Sequence, residues 1–473
     1  MVFSSETFLF LFLPLFLAIY YLTPMRFRSV TILIGSYIFY GWWRIDFLGL
    51  LFLTTLWTYF FGRRIGAAQT ARAAKTYLII GLTGCLGVLG VFKYLNFFID
   101  SFAMLWGRDA ADLGVHWQLI LPIGVSFYVF HAVSYLVDVY RKDAVATARF
   151  FDFAAFIALF PQLVAGPILR FKDLTGQFAH REHSLDLFVT GTTIFAIGLA
   201  KKVLLADTVA PLANLAFQSP DPSLILSWVG AVAYMIQLYF DFSGYSDMAI
   251  GLGLMIGFRF RPNFDMPYIS RSITEFWRRW HISLSVWLRD YLYIPLGGNR
   301  KGEGRTYVNL LLVMFLGGLW HGANMTFVLW GLWHGSWLAL ERAMGRSKAT
   351  DLAGLGATLL IVLLGWVMFR AETVTVALQV YGGMLGLNGL APGREIALMI
   401  TRESLVFLLL GVSVAAFEPR LNRVASTRLA PMPDGDLTAM NTLVPAFLML
   451  GLTVVTVMKL AEQSFSPFLY FQF

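Results

Sequence analysis

Charged residues and cysteines are both scarce in this sequence. Charged residues make up 14% of its 473 positions, whereas they make up about 25% of an ordinary soluble protein. Hydrophobic residues make up 58% and the mean hydropathy is +0.67, so we expect most of the chain to lie in lipid. Cys85 is the single cysteine, which excludes an intrachain disulfide and a zinc or iron–sulfur site built on cysteines.

Several catalytic motifs are also missing. The chain has no Gly-x-Ser-x-Gly nucleophile elbow, which disfavours a serine hydrolase. It has no Gly-Lys dipeptide and no His-Glu-x-x-His sequence, which disfavours an ATP-driven pump with a P-loop and a membrane zinc protease. We expect no metal site. The formal net charge of +8 fits Lys and Arg residues gathered in cytoplasmic loops, so we expect no nucleic-acid partner.

Apolar segments follow one another along the whole chain and indicate a membrane protein. A spanning helix needs about 20 mostly apolar residues, and several of the segments are shorter. We therefore expect an all-α, multi-pass membrane protein, one domain over residues 1–473, with about 11 to 13 crossings and short re-entrant helices. The candidate helices lie at 6–23, 29–43, 46–62, 76–98, 118–140, 150–169, 187–207, 223–241, 244–258, 307–322, 325–344, 352–370, 374–389, 401–417 and 440–460.

The charges at the two ends of the chain predict its orientation and one long loop. No basic residue precedes the apolar run from Phe8 to Leu22, and Arg26 and Arg28 follow it. This distribution predicts a retained first helix whose N-terminus lies outside and whose next loop lies in the cytoplasm. The prolines and polar residues of Glu418–Leu437 indicate a loop between two membrane helices.

The region Arg259–Arg305 concentrates positive charge. It carries nine Lys and Arg residues against four Asp and Glu residues, so the positive-inside rule places it in the cytoplasm. The spacing of apolar residues in Ile273–Leu288 predicts one amphipathic helix. Two interpretations stay open: an interfacial helix with basic residues at the lipid headgroups, or a cytoplasmic vestibule whose arginines, among them Arg278 and Arg279, attract an anionic cofactor.

The seven histidines fall into three groups. Polar segments hold the three histidines that we expect to be solvated, His116, His180 and His183. His131 lies in an apolar segment, and we interpret it as a packing residue. The histidines that could carry chemistry are His281, His321 and His334.

His321 ends an apolar run that begins about fourteen residues earlier. Fourteen helical residues advance about 21 Å, which is more than half of a hydrocarbon core of about 30 Å. An ionisable group at that depth is a functional candidate, because burying it is costly. Gly317, Gly318 and Gly322 would leave room for a ligand, and burial would keep the imidazole neutral and ready to accept a hydroxyl proton. We interpret His334, on the following helix, as structural.

Ordered motifs in the middle of the chain resemble the membrane-bound O-acyltransferase superfamily. They are Tyr239–Asp247, Glu275–Ser283, Asp290-Tyr291, Pro295–Arg300 and Leu319–Gly322. Three further segments resemble the bacterial polysaccharide branch of the family, above all its alginate O-acetyltransferases: Met1–Ser5, Asp138–Arg141 and Ala165–Pro167. The chain departs from the alginate pattern at Gln162, where that pattern has a histidine. The resemblance is densest over about residues 120–345.

The resemblance implies a fold and a reaction. The fold is a ring of helices around a tunnel that crosses the membrane, with catalysis by His321 and a second polar residue at His281. The reaction is transfer of an acetyl group from a cytoplasmic donor, for which we expect acetyl-CoA as a substrate and no tightly bound cofactor. Further candidates for donor or tunnel contacts are Trp320, Asn324, Arg278, Arg279, Asp241 and Tyr239.

The resemblance also implies an acceptor outside the cytoplasm. In a bacterial inner membrane, His321 would act as general base on an acceptor hydroxyl. Alginate is the expected polymer, and periplasmic acetyltransferase proteins are the expected partners. The direct acceptor is either a sugar hydroxyl or a residue of such a partner. Two alternatives stay open: O-acetylation of another glycan such as cellulose or peptidoglycan, and a transporter or flippase of a polymer or lipid intermediate with His321 in a gate.

Overall fold

The computed structural model describes residues 1–346, 351–429, 439–462 and 469. Those residues form helices and loops with no β-strand, which confirms the predicted all-α architecture. They divide into two compact units, Met1–Gly191 with Ala249–Arg261, and Thr192–Met248 with Pro262–Phe473. The expectation of one domain over residues 1–473 stays a prediction.

Helices follow one another through all the described ranges. In chain order the helices are α1 (Thr7–Leu22), α2 (Arg28–Gly41), α3 (Asp46–Gly66), α4 (Ala71–Leu105), α5 (Val125–Arg141), α6 (Phe150–Ala158), α7 (Phe160–Leu163), α8 (Phe171–Ala179), α9 (Leu185–Gln218), α10 (Leu224–Met255), α11 (Ile273–Arg279), α12 (Ile282–Leu288), α13 (Glu303–His321), α14 (Met325–Ala343), α15 (Leu352–Arg370), α16 (Val374–Met384), α17 (Arg394–Met399), α18 (Arg402–Leu429) and α19 (Ala439–Glu462). Wider π-helical turns lie at Thr7–Phe12, Gly90–Tyr94, Lys201–Ala206 and Arg289–Tyr293, and short 3-10 turns lie at Met25–Phe27, Ala110–Leu113 and Pro267–Ile269.

Four helices within the described ranges are long and apolar enough to cross a membrane by length and composition. They are α4, α9, α10 and α15. Two shorter apolar helices, α1 and α16, have 10 to 17 residues each. These helices support the predicted multi-pass membrane protein. The predicted number of about 11 to 13 crossings and the ring around a tunnel stay predictions.

Two helix ends in the first unit differ from the sequence prediction. The predicted helix 118–140 begins only at Val125, because Gly124 has a left-handed φ of 74° that no helix residue adopts. The predicted helix 150–169 is divided, since α6 ends at Ala158 and α7 is a single turn that contains Pro161. Leu159 ends α6 because its ψ of 107° is not helical. Pro161 lies in the first turn of α7, where its missing N–H would have no partner within the helix.

One helix, α10, replaces the two that the sequence predicted at 223–241 and 244–258. It runs over 32 residues from Leu224 to Met255. Asp241 lies near the expected break, where a charged group would be costly in lipid. In the structure its carboxylate is buried and lies 2.9 Å from the Lys202 ammonium. Because the charge is paired inside the second unit, the helix continues through this position.

The predicted amphipathic helix Ile273–Leu288 is wrong, because the chain breaks within it. Helix α11 ends at Arg279 and α12 begins at Ile282. Between them, His281 has φ 44° and ψ 54°, which is the left-handed conformation. The backbone groups that the break releases bond to a neighbouring loop: Asp265 N donates to Arg279 O, and Ile282 N donates to Asn263 O, both at 2.9 Å. Tertiary hydrogen bonds thus replace helical ones at this point.

The predicted loop Glu418–Leu437 is wrong in its first part. Helix α18 runs from Arg402 to Leu429 and has Pro419 in its interior. Residues 430–437 of the expected loop lie outside the described residues. A proline inside a helix removes one backbone hydrogen bond but does not always end the helix, because a membrane helix is supported by its neighbours.

Helices α13 and α14 of the second unit pack at very short range and run antiparallel. A Cβ atom added to Gly318 would lie 2.2 Å from the Phe327 carbonyl oxygen, and one added to Gly331 would lie 2.3 Å from the Met314 carbonyl oxygen. Only glycine fits at such distances, as in other close contacts of membrane helices. This packing brings the end of α13, and with it His321, against the side chains of α14.

Candidate active site

His321 is the last residue of α13, as the sequence predicted. It is buried, with 5% of its surface exposed, and aromatic rings surround it. The ring centroids of Trp320, Trp330 and Phe369 lie 4.9, 5.1 and 5.2 Å from the imidazole centroid. Helices α13, α14 and α15 therefore enclose the imidazole and fix its orientation.

A cavity of about 200 Å³ lies beside His321 within the second unit. Polar side chains reach this cavity from Ser285, Arg289 and Tyr293. Among the described residues, Ser285 Oγ and Trp277 Nε1 have no hydrogen-bond partner, so both donors are available to a ligand. The remaining lining residues are mostly aliphatic: Leu284, Leu288, Leu310, Val313, Met314, Gly317, Trp330 and Leu338.

Only one of the three glycines near His321 opens onto this cavity. Gly317 lines it, and a Cβ atom added there would meet only Leu288 Cδ1, at 3.4 Å. Gly318 faces the backbone of α14, and a Cβ atom added to Gly322 would lie 2.1 Å from the Phe327 ring. The expectation that Gly318 and Gly322 leave room for a ligand is therefore wrong, because protein atoms already fill both spaces.

His281 lies close to His321, although 40 residues separate them in the sequence. The two imidazole centroids are 6.4 Å apart, and His281 is fully buried. Phe242 of α10 packs edge-on against it at 4.7 Å, and Trp320 lies 6.0 Å away. The structure thus brings together the two histidines that the sequence singled out. Their catalytic roles stay predictions.

The Asn263 side chain determines which nitrogen of His281 carries the proton. Ser283 N donates to Asn263 Oδ1 at 3.1 Å, and a backbone N–H can only donate, so this atom is the amide oxygen. His281 Nδ1 lies 3.2 Å from the same oxygen, and this contact favours the tautomer in which Nδ1 carries the proton and donates to it. Burial lowers the pKa of His281 to about 3, so the ring is neutral. Its Nε2 then carries a lone pair, and it has no partner among the described residues.

Glu341 of α14 holds the helix that precedes this histidine. Its buried carboxylate accepts from Ile273 N at 2.5 Å and from Thr274 N at 2.9 Å. A carboxylate at a helix N-terminus satisfies free N–H groups and the positive end of the helix dipole. Ser272 Oγ also accepts from Glu275 N at 3.0 Å. Helix α11 is therefore fixed to α14, which fixes the position of the break at His281.

The predicted donor-binding arginines lie away from the cavity. Arg278 is exposed, and Arg279 forms ion pairs with Glu275 at 3.0 Å and Asp265 at 3.2 Å. Neither lines the cavity, whereas Arg289 does. Arg289 pairs with Asp290 at 2.7 Å and keeps 58% of its side chain exposed. The basic residue of this region that reaches both the cavity and its surroundings is thus Arg289.

Tyr239 and Asp241 are engaged in contacts of their own. Tyr239 donates to Glu418 Oε2 at 2.6 Å, and its ring lies 6.2 Å from that of Trp280. Asp241 accepts from Leu469 N at 3.0 Å and pairs with Lys202. Both side chains are buried in the second unit, and neither lines the cavity at His321. Their predicted roles in donor or tunnel contacts stay predictions.

Trp320 and Asn324 lie on either side of His321 in the sequence but differ in their contacts. Trp320 packs against both histidines. Asn324 begins α14: its Oδ1 accepts from Thr326 N at 3.2 Å, and its Nδ2 donates to Glu372 O at 2.8 Å. Both ends of this amide are thus used by the backbone. The predicted donor or tunnel contacts of these two residues stay predictions.

The other histidines show two kinds of environment. His131 and His334 are fully buried, and none of their ring nitrogens has a partner among the described residues. His116 and His180 are exposed, as expected. His183 is half-buried, and its Nε2 lies 2.9 Å from both Tyr20 Oη and Arg28 Nη1, so it is only partly solvated.

Several residues that shape this site were missed in the sequence. Asn263 follows a proline in a loop and looks like an ordinary turn residue, and Phe242 looks like one more membrane aromatic. Only Glu341 could have been identified from the sequence, because a carboxylate in a largely apolar helix, Met325–Ala343, needs a polar partner. No local signal links any of them to His281, because the contacts join distant segments of the chain.

The arrangement suits proton transfer to or from a group bound in an apolar space. Imidazole accepts a proton at one nitrogen and donates from the other, and a base must lie within hydrogen-bond reach of the proton it removes. A ligand in the cavity would have His321 at its side. Among the described residues, no group of three or more His, Cys, Asp or Glu side chains is placed to hold a metal ion.

Comparison with known proteins identifies the family. The model of the membrane-bound O-acyltransferase family matches residues 87–362. A probable alginate O-acetylase of Pseudomonas putida and one of Azotobacter vinelandii are each 50% identical to this chain over the whole of both chains. A peptidoglycan O-acetyltransferase of Helicobacter pylori is 38% identical over 83% of this chain and 81% of its own. The chain belongs to the membrane-bound O-acyltransferase family and is a membrane-embedded acyltransferase.

Proposed function

We propose that this enzyme takes an acetyl group from cytoplasmic acetyl-CoA and passes it outward for the O-acetylation of an exported polysaccharide, alginate. The observation that carries the proposal is the placement of buried His321 on a small apolar cavity. Full-length relatives described as probable alginate O-acetylases support the choice of polymer. The bacterial inner membrane is the proposed location, because the donor is cytoplasmic and the polymer is exported.

The proposed step is acyl transfer from sulfur to oxygen. His321 accepts the proton of an acceptor hydroxyl, and the hydroxyl oxygen forms a bond to the thioester carbonyl carbon. The carbon–sulfur bond then breaks, and the proton returns from His321 to the thiolate. Atoms and charge balance without a metal or a redox partner. The thioester is already activated, so the enzyme needs no nucleophile of its own.

The cavity volume favours a short acyl group. Pockets that hold drug-sized ligands measure roughly 300–1,000 Å³, whereas this cavity measures about 200 Å³. It has room for an acetyl thioester and part of its arm, but a long acyl chain would exceed it. Ser285 Oγ and Trp277 Nε1, which lack partners in the described residues, are candidate donors to the thioester carbonyl oxygen.

The donor would enter past Arg289. This residue lines the cavity and is largely exposed, so its guanidinium could bind a phosphate of the donor while the thioester reaches His321. Arg278 and Arg279 would contribute to the positive potential around the entrance rather than contact the thioester. In this proposal the basic region Arg259–Arg305 attracts the anionic donor.

His281 is proposed to orient His321 or the donor through its free Nε2. The bond from Nδ1 to Asn263 keeps the lone pair on Nε2. The neutral Nε2 could accept a hydrogen bond from the hydroxyl group that is to be acetylated, or from a bridging water.

We propose that periplasmic acetyltransferase proteins complete the transfer. The group that receives the acetyl directly is then either a sugar hydroxyl or a residue of such a protein.

A deletion strain complemented with plasmid variants tests the proposal. Wild type should restore the O-acetyl content of the exported polysaccharide, and His321→Ala should lower the acetylation rate by about 10²–10⁴-fold, the usual contribution of a general base. His321→Gln, which retains hydrogen bonding but is not a base, should behave like alanine. His180→Ala, in an exposed position, is the matched control and should act as wild type.

Peptidoglycan is the second candidate acceptor. The relative from Helicobacter pylori is described as a peptidoglycan O-acetyltransferase and aligns with most of this chain. Ester-linked acetate should therefore be measured on both the exported polysaccharide and the peptidoglycan of the same strains. If the deletion strain loses acetate from peptidoglycan alone, peptidoglycan and not alginate is the acceptor. Normal acetylation of both polymers, with polymer export lost, would favour the transporter alternative.

A further inference from the structure

We propose that the first unit carries a binding site for a phosphate group, namely that of an anionic phospholipid headgroup, in the cleft beside His183. The cleft has a volume of about 310 Å³ and is lined by Tyr21, His183, Ser184, Leu185 and Phe188. It lies where α1 ends and α9 begins. Nothing in the acyl-transfer reaction uses these residues, so the site is independent of the proposed function.

One cationic side chain is bonded directly to the wall of the cleft. Arg28 Nη1 donates to His183 Nε2 at 2.9 Å, and Arg28 Nε donates to Thr23 O at 3.1 Å. The guanidinium carbon lies 4.9 Å from the ring centroid of Tyr20 and 5.6 Å from that of Tyr21. Two aromatic rings and a histidine therefore hold the guanidinium in place beside the cleft.

A second arginine next to His183 is buried with much of its donor capacity unused. Arg181 is only 8% exposed, and its Nε and Nη1 have no hydrogen-bond partner in the described part of the chain. Its Nη2 makes one long contact, to Ser29 Oγ at 3.4 Å. Aromatic rings of Phe178 and Phe258 lie 5.7 and 5.2 Å from the guanidinium carbon. A buried arginine with free donors is costly unless an anion pairs with it.

Among the described residues, neither Arg28 nor Arg181 forms an ion pair with a carboxylate. Within the described residues, no carboxylate lies within 4.0 Å of either guanidinium. Glu182 is turned to Arg259, with which it pairs at 3.1 Å. Asp152 interacts with Arg181 only at longer range, and Asp186 is exposed and does not line the cleft.

The electrostatic effect on His183 agrees with an excess of positive charge. Burial lowers the pKa of this histidine, and the neighbouring Arg28 and Arg181 guanidinium groups lower it further. An anion in the cleft would offset that potential. Phosphate suits the site because its oxygens accept several charge-assisted hydrogen bonds at once, and arginine is well matched to that geometry.

The apolar surroundings favour a lipid over a free anion. Leu185 is 77% exposed and Tyr21 is 40% exposed, and both lie at the ends of apolar helices, where acyl chains would pass. The positive-inside rule predicts that Arg28, just beyond the first apolar helix, lies on the cytoplasmic side. Basic pockets between membrane helices on that side are typical sites for anionic lipid headgroups.

Lipid binding to the purified full-length protein tests the inference. Native mass spectrometry should detect phosphatidylglycerol bound to the wild type more tightly than phosphatidylcholine. Arg28→Gln and Arg181→Gln should each weaken phosphatidylglycerol binding about tenfold or more, because each removes a charge-assisted contact. Arg28→Lys should retain part of it. The matched control is Arg26→Gln, an exposed arginine two positions away, which should bind like the wild type.

Three results would overturn the assignment. Equal phosphatidylglycerol binding by wild type and both glutamine variants would show that the two arginines bind no headgroup. An equal loss in the Arg26→Gln control would show only general attraction to basic residues. Displacement of the lipid by millimolar inorganic phosphate, with phosphate itself binding as tightly, would assign the site to a free anion instead. Thermal unfolding of each variant checks that Arg181→Gln is folded, and Arg28→Gln tests the site without altering a buried arginine.

Discussion

Replacing His281 with asparagine separates two roles that the structure gives this residue. His281 has a left-handed backbone and donates from Nδ1 to Asn263 at 3.2 Å, while its Nε2 faces no partner among the described residues. Asparagine adopts the left-handed conformation readily, and its amide nitrogen lies close to the place of Nδ1. His281→Asn should therefore keep the backbone and the bond to Asn263 and remove only Nε2.

The size of the effect follows from one lost hydrogen bond in the transition state. A hydrogen bond to a charged group contributes about 1.5–3 kcal/mol, and each 1.36 kcal/mol changes the rate about tenfold. We expect His281→Asn to lower acetyl transfer about 10- to 150-fold at nearly unchanged stability. His281→Ala loses the bond to Asn263 as well as Nε2, so it should lower acetyl transfer at least as much and also be less stable.

The assay is the rate of acetyl transfer in membrane vesicles with labelled acetyl-CoA, normalised to the amount of inserted enzyme. Thermal unfolding of the purified variants measures their stability. If His281→Asn transfers acetyl at the wild-type rate, Nε2 has no role in the reaction and the role of His281 is purely structural. A loss of stability as large as that of His281→Ala would refute the assignment of the proton to Nδ1.

Four further outcomes follow from the same structure. Gly317→Phe should fill the cavity and raise the KM for the donor, whereas Gly317→Ala, whose Cβ meets only an ordinary contact at 3.4 Å, should be close to wild type in a steady-state assay. Lys202→Met should destabilise the protein by about 3–5 kcal/mol in thermal unfolding, because it leaves buried carboxylates unpaired. His334→Leu should transfer acetyl within a few fold of the wild-type rate, because His334 packs among aromatic rings and has no polar partner in the described chain. A loss of rate as large as that of the His321 variants would show that His334 takes part in the reaction. The pKa of His281 is about 3 in the folded state and about 6.5 in the unfolded chain, so between these values only the unfolded chain binds the proton. The free energy of unfolding should therefore fall as the pH is lowered from 6.5 toward 3, and this pH dependence should be absent in His281→Asn.

The position of His321 could be predicted because it depends on local sequence. An uninterrupted apolar run defines α13, and counting residues along the helix places the histidine at its end. The resemblance to the family added His281 as its companion. The structure brings these two rings to 6.4 Å, so the central pair of the site was available from the sequence.

The break at His281 could not be predicted from its own segment. The apolar residues of Ile273–Leu288 keep a helical spacing through the break, so the pattern predicts one helix. The backbone groups at the break bond instead to Asp265 and Asn263, which lie 16 and 18 positions before His281. Tertiary contacts of this kind override local propensity, and no feature of the segment itself reveals them.

Which arginine lines the cavity could not be predicted for a related reason. Arg278 and Arg279 lie within the family motif Glu275–Ser283, which made them candidates, but Arg279 pairs with Glu275 one helical turn earlier and with Asp265. Arg289, at the end of α12, reaches the cavity instead. Which basic residue faces a cavity depends on the course of the backbone after the break, and the sequence showed only that positive charge is concentrated in this region.

The central claim is that His321 is the base for acyl transfer from acetyl-CoA, and one measurement tests it most directly. Inverted membrane vesicles from a strain that contains the export machinery expose the cytoplasmic face to added, labelled acetyl-CoA. The account predicts label in the enclosed polymer with wild-type enzyme and about 10²–10⁴-fold slower labelling with His321→Ala at equal enzyme levels. Equal rates of labelling for the two enzymes would contradict it.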